Sequence, residues 1–102
     1  MSFRVRFTQE ARADLERLYD FILQRDADDF ALATKALAAI RDAIGPLETF
    51  SFSCRKATPA NPFLRELLIP FGTTGYVALF EIEDAHTVTV LAVRHQREDD
   101  YH

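Results

Sequence analysis

Apolar positions follow two periods along the chain, and the switches between them mark out its elements. Phe3, Val5 and Phe7 alternate with Arg4 and Arg6. That is the period of a strand with one buried face, so a strand is expected over 3–7. Thr8 is suited to cap a helix, and Glu10 in the first turn suits the positive end of its dipole. Ala11, Leu15, Leu18 and Ile22 then recur at spacings of four, three and four, with Tyr19 beside them. The stripe predicts a helix over about 8–25. Asp26-Ala27-Asp28-Asp29 breaks the pattern. Asp28 or Asp29 can cap a second helix over about 28–45, where Phe30, Ala33, Leu37, Ile40, Ile44 and Leu47 keep the same spacing. Gly45-Pro46 punctuates its end. This run is too short for a coiled coil, so the two helices read as an antiparallel hairpin sharing one seam with a sheet.

Residues 48–62, with Ser51, Ser53, Thr58, Pro59, Asn61 and Pro62, read as one long irregular loop. Strands are expected over about 63–70, ended by Pro70, then 76–83 and 87–94. Phe71 to Gly75 and Asp84-Ala85-His86 are the turns between them. Three short strands with tight links make an antiparallel meander. The polar residues 96–102 read as a tail. The order β-α-α-β-β-β gives an α+β fold, two helices on one face of a small, mainly antiparallel sheet, with residues 1–102 as a single domain.

Composition narrows the function classes. The chain has 102 residues, 12 basic and 16 acidic, for a net charge of −4. Domains that grip phosphates are usually basic, so sequence-specific DNA binding by this chain is not expected. The charge is uneven, however. Residues 10–29 hold seven acids against three arginines, whereas residues 30–80 hold five bases against three acids. One cysteine, Cys54, cannot form an internal disulfide, which fits a cytoplasmic protein. The apolar runs fall far short of the roughly 18 residues of a membrane span, and the alternating residues 1–7 lack the apolar block expected of a signal peptide.

Four stretches in order carry a resemblance. They are Phe7-Thr8-Gln9-Glu10-Ala11 leading into Asp14-Leu15, Leu64-Arg65-Glu66-Leu67, Gly75-Tyr76-Val77-Ala78-Leu79-Phe80, and Val93-Arg94-His95-Gln96-Arg97-Glu98-Asp99-Asp100-Tyr101. With the element order, they make the chain resemble the ParE/RelE superfamily of bacterial toxins over nearly its whole length, the ParE branch most. The resemblance implies the toxin of a type II toxin–antitoxin pair, of the kind associated with plasmid stabilisation, neutralised by a cognate, ParD-like antitoxin. It leaves two mechanisms open: ParE-like members are taken to block DNA gyrase, and RelE-like members cut mRNA on the ribosome. A toxin-derived remnant that only binds its antitoxin is a third reading.

Metal-free RNA cleavage needs a base for the 2′-OH, an acid for the leaving oxygen, and cations for the phosphorane. RelE-like nucleases typically have an arginine after the Gly-Tyr of the central strand; here Val77 follows Gly75-Tyr76. If the chain is a nuclease, its catalytic candidates are Arg94, His95 and Tyr101, as cation, acid or base, and stacking group. If it is not, it has no catalytic residues, and Arg65, Arg94, His95, Arg97 and Tyr101 are candidates for contact with the target or the antitoxin. Each also has a structural reading: Arg65 as an ion pair with Glu66, Arg94 and His95 as solvated strand-end residues, and Tyr101 as an anchor for the tail. Cys54, His86, His95 and His102 lack metal-ligand spacing, and Gly72-Thr73-Thr74-Gly75 lacks the lysine and helix of a phosphate loop. No metal and no cofactor are expected.

Overall fold

The structure is a computed structural model and describes residues 3–25, 30–72 and 74–96. The first strand, β1 (Arg4–Phe7), turns Arg4 and Arg6 to solvent and half-buries Val5 and Phe7. Helix α1 (Gln9–Arg25) starts where expected, because Thr8 caps it. The Thr8 hydroxyl accepts the Ala11 N–H at 3.0 Å, satisfying one of the donors a helix start leaves open. Ala11 and Leu18 of the predicted stripe are buried, and Leu15 and Ile22 pack at the core margin. Helix α2 (Phe30–Ile44) buries Ala33, Ala36, Ile40 and Ile44. Phe30, expected in its stripe, is exposed. The expected Asp28 or Asp29 cap lies outside the described residues.

After Gly45-Pro46 the chain does not become a loop. Leu47–Phe50 forms a short helix, α3, with Leu47 buried, and Ser51–Ser53 forms a 3-10 turn. The next strand, β2 (Arg55–Thr58), pairs antiparallel with β3 (Asn61–Phe71). The expected irregular 48–62 segment is thus corrected to helix, turn and a fifth strand. β3 also runs through Pro70 instead of ending there. β2 pairs with β3 only as far as Glu66, so beyond that point a missing N–H on the β2 side costs no ladder bond.

The remaining strands, β4 (Thr74–Ile82) and β5 (Thr87–His95), complete a five-stranded sheet of order β1-β5-β4-β3-β2. β1 runs parallel to β5 and every other pairing is antiparallel. Tyr76, Ala78, Phe80 and Ile82 of β4 share the core with Val88, Val90 and Val93 of β5, beneath the helices. Val90 and Val93 are an odd number of residues apart, yet both face the core. A bulge at Leu91 absorbs the extra residue, since Phe80 pairs with Val90 and Leu79 with Ala92. Two glycines shape the β3–β4 hairpin. Gly72 has φ +64°, and a Cβ on Gly75 would sit 2.2 Å from the Ile69 carbonyl oxygen.

Candidate functional site

Register decides which sequence candidates meet. Arg94 pairs with Val77 and His95 with Tyr76, so the two side chains leave β5 toward opposite faces. Arg65 lies two strands away, paired with Phe80, three positions along β4 from Val77. Arg65, Arg94 and His95 therefore do not converge. Arg97 and Tyr101 lie outside the described residues.

Arg94 is bound to helix α1. Its guanidinium pairs with Asp14 Oδ1, while Asp14 Oδ2 accepts the Val93 N–H at 3.0 Å. Arg17 Nε stands 4.0 Å from the same carboxylate. The Asp14 and Arg94 side chains are only 12% and 18% exposed, so this pair is largely withdrawn from water. Its position follows from the strand order. β1 ends opposite Val90, and beyond it α1 takes over the edge of β5. The Thr8 N–H bonds the Val90 carbonyl at 3.0 Å, the Thr8 hydroxyl donates to the Leu91 carbonyl at 3.3 Å, and Asp14 takes the Val93 N–H. The helix finishes the ladder that β1 leaves incomplete.

Arg65 is equally committed, but not to Glu66 as expected. Neighbours along a strand point to opposite faces, and Glu66 pairs with Arg55 across β2 at 3.1 Å. Arg65 instead donates to three carbonyls: Pro62 at 2.7 Å through Nε, and Cys54 at 2.7 Å and Phe52 at 3.2 Å through Nη1. Its guanidinium also lies over the Phe52 ring, 5.4 Å from the centroid. One side chain thus ties the 52–62 segment to β3.

At the far end of the sheet, His95 meets the edge of the Tyr76 ring at 5.6 Å, and Tyr76 in turn lies 6.0 Å from Phe71. Burial holds the Tyr76 hydroxyl above its usual range. Burial likewise pushes up the Cys54 thiol and outweighs the opposing effect of Arg65, so Cys54 is not an activated nucleophile. Val77 is buried. No group of three or more metal-ligating side chains occurs among the described residues.

One concavity was not visible in the sequence. It is a groove of about 880 Å³ with Val5 and Phe7 of β1, Leu15 and Tyr19 of α1, and Leu37 and Ile44 of α2 on its walls. Glu16, Asp20, Arg41 and Glu48 supply charge along it. The helical stripes predicted apolar faces, but not that they would leave a gap between them. Asp14, part of the stretch that carries the resemblance, was not among the site candidates, although a signal existed. It sits three residues after Ala11 and four before Leu18, on the buried side of α1, where a carboxylate needs a partner.

Comparison with known proteins bears on all of this. The family model described as the ParE toxin of type II toxin-antitoxin system, parDE, matches residues 5–100. A chain of the structure described as the chromosomal ParDE TA system from P. aeruginosa is similar at a TM-score of 0.73 and 20% identity, covering 92% of this chain and 96% of that one. A chain of the RelBE2 toxin-antitoxin complex from Mycobacterium tuberculosis is similar at a TM-score of 0.60 and 28% identity, covering 94% and 100%. Comparison with curated proteins gives no match. A family model that spans nearly the whole sequence, on a fold shared with both toxin–antitoxin structures, settles the kinship: the chain belongs to the ParE toxin family of type II toxin–antitoxin systems.

Proposed function

We propose that this toxin acts by docking on DNA gyrase in the cytoplasm, with no catalytic centre of its own, and that a ParD-like antitoxin silences it. The observation that carries the reading is where the arginines of the sheet are bound. A nuclease needs cations held ready for charge that appears only in the transition state. Arg94 is neutralised by Asp14, Arg65 is spent on three backbone carbonyls, and the position after Gly75-Tyr76 holds the buried Val77. These groups hold the fold together instead of waiting for a phosphorane.

The groove between β1, α1 and α2 supports the antitoxin half of the reading. Its mainly apolar walls suit an extended or helical segment dotted with apolar anchors. Both similar structures are toxin–antitoxin assemblies, which supports an antitoxin partner here.

The test pairs two assays on purified protein. The expected result is inhibition of supercoiling by gyrase, relieved by added antitoxin, with mRNA left intact in a translation extract. Full supercoiling at saturating protein, together with cuts in translated mRNA, would replace this reading with the ribosome-dependent endonuclease.

A further inference from the structure

Beyond the groove, one surface stands out: the outer edge of β2 and the aromatic row beside it. Phe50, Phe52 and Phe63 are 61%, 53% and 50% exposed. Phe52 sits edge-on between Phe3 and Phe63, with centroids 6.3 Å away on either side. Large aromatic rings so exposed and so grouped are a feature of contact surfaces. The row is also held in advance. Arg65 grips the carbonyls of Phe52, Cys54 and Pro62, so little conformational freedom is left to lose on binding. Beside it, β2 is the last strand of the sheet, and no strand among the described residues covers its outer side.

Charge selects the occupant. Arg55 and Lys56 of β2 are exposed, and Lys56 pairs with Arg65, placing it on the aromatic face. A second copy added edge to edge would bring these cations against their own counterparts, which destabilises a sheet. A nucleic acid would need several cations for its phosphates, but Arg65 is bound to carbonyls and Arg55 is paired with Glu66. An acidic strand asks less of the edge than a nucleic acid does: backbone pairing, plus the single exposed charge of Lys56 on the aromatic face.

We infer that the β2 edge docks an extended segment of a partner protein in which acidic residues alternate with aliphatic or aromatic ones. The partner is the toxin's target and not its antitoxin, an assignment that rests on the function proposed above. The two surfaces are separate. Glu48 of α3 lines the groove, and Phe50, two positions on, lies roughly 200° further round that helix. Target and antitoxin therefore address different sides of α3.

The docking chemistry is tested without gyrase. A disulfide-closed hairpin peptide whose outer strand alternates Glu and Leu is titrated into the labelled protein and followed by NMR. Saturable shifts at residues 55–58 and at the Phe52 and Phe63 rings are expected. A Lys/Leu version and a single-stranded oligonucleotide should leave them unmoved, and Lys56→Glu should weaken the peptide at least tenfold. Absence of shifts along β2, or occupation of β2 by the oligonucleotide, overturns the inference. The target assignment is tested with Lys56→Glu in the supercoiling assay. A rise of at least tenfold in the half-inhibitory concentration, with antitoxin affinity unchanged, supports it; equal losses of both overturn it. If the wild-type protein does not inhibit gyrase at all, the assignment falls with the proposed function, and the peptide titration still decides the docking surface.

Discussion

The two flanks of the sheet solve the problem of an open edge in opposite ways. Where β1 stops, the exposed groups of β5 are taken up by Thr8 and Asp14 of the α1 region, and Arg94 closes over the same carboxylate. At the other flank β2 is short and charged, with no strand among the described residues on its outer side and half-exposed phenylalanines beside it. Each flank uses an arginine, but Arg94 is spent on sealing an edge and Arg65 on bracing the backbone that leads into β2. The lesson is that an arginine at a sheet edge announces neither catalysis nor solvation. What it is bound to decides.

Breaking the sealed flank should have the largest effect. Asp14→Ala leaves the Val93 N–H and the Arg94 guanidinium without their acceptor. It should cost roughly 2–4 kcal/mol in urea unfolding, because a largely buried charge has lost its partner. Arg94→Ala in the Asp14→Ala background should cost much less than Arg94→Ala alone, a coupling a double-mutant cycle would read. Independent, additive losses would show that the pair does not hold this edge.

Gly75→Ala comes next. Its Cβ would press on the Ile69 carbonyl oxygen at 2.2 Å, and backbone cannot step aside as a side chain can. A loss of about 2–3 kcal/mol is expected. Thr8→Ala removes a cap and the contact with Leu91, for about 1 kcal/mol. On the open flank, Lys56→Glu should change stability by under about 0.5 kcal/mol, as an exposed substitution. A large loss there would mean that β2 serves the fold as α1 does.

The smallest effect concerns alkaline pH. The folded state holds the Tyr76 hydroxyl above its usual value because burial disfavours the phenolate. The unfolded chain therefore gives up this proton first as pH rises. The stabilisation is complete below the ordinary tyrosine range and is lost as pH climbs through it toward the folded-state value. Wild type should lose more Tm than Tyr76→Phe between pH 9 and 11; equal losses would show that burial of the hydroxyl is not coupled to stability.

Much of the architecture was legible because its signals are local. Thr8 and the Ala11–Ile22 stripe give α1, period-two patterning gives β1, and apolar runs bounded by turn residues give the paired strands β4 and β5. β2 was not legible, because Arg55-Lys56-Ala57-Thr58 has no apolar alternation. It is a strand because β3 offers it an edge, a fact about residues far along the chain. Pro70 misled for the same reason: whether a missing N–H ends a strand depends on which side is unpaired. Phe30 shows the limit of a stripe, which orients a helix without saying how far its neighbour reaches. At the site, residue type alone singled out Arg65 and Arg94, but their partners were set by register and not by adjacency.

In the proposed function, the arginine at the end of β5 serves the fold while the toxin acts by docking. The most direct measurement uses a variant that keeps the volume and removes the charges, Asp14→Leu with Arg94→Met, checked for folding by NMR. Buried ion pairs often tolerate such an exchange. This folded variant should inhibit gyrase supercoiling at the same half-inhibitory concentration as wild type. A folded variant that has lost toxicity, beside a wild type that cuts translated mRNA, would contradict it and return Arg94 to catalysis.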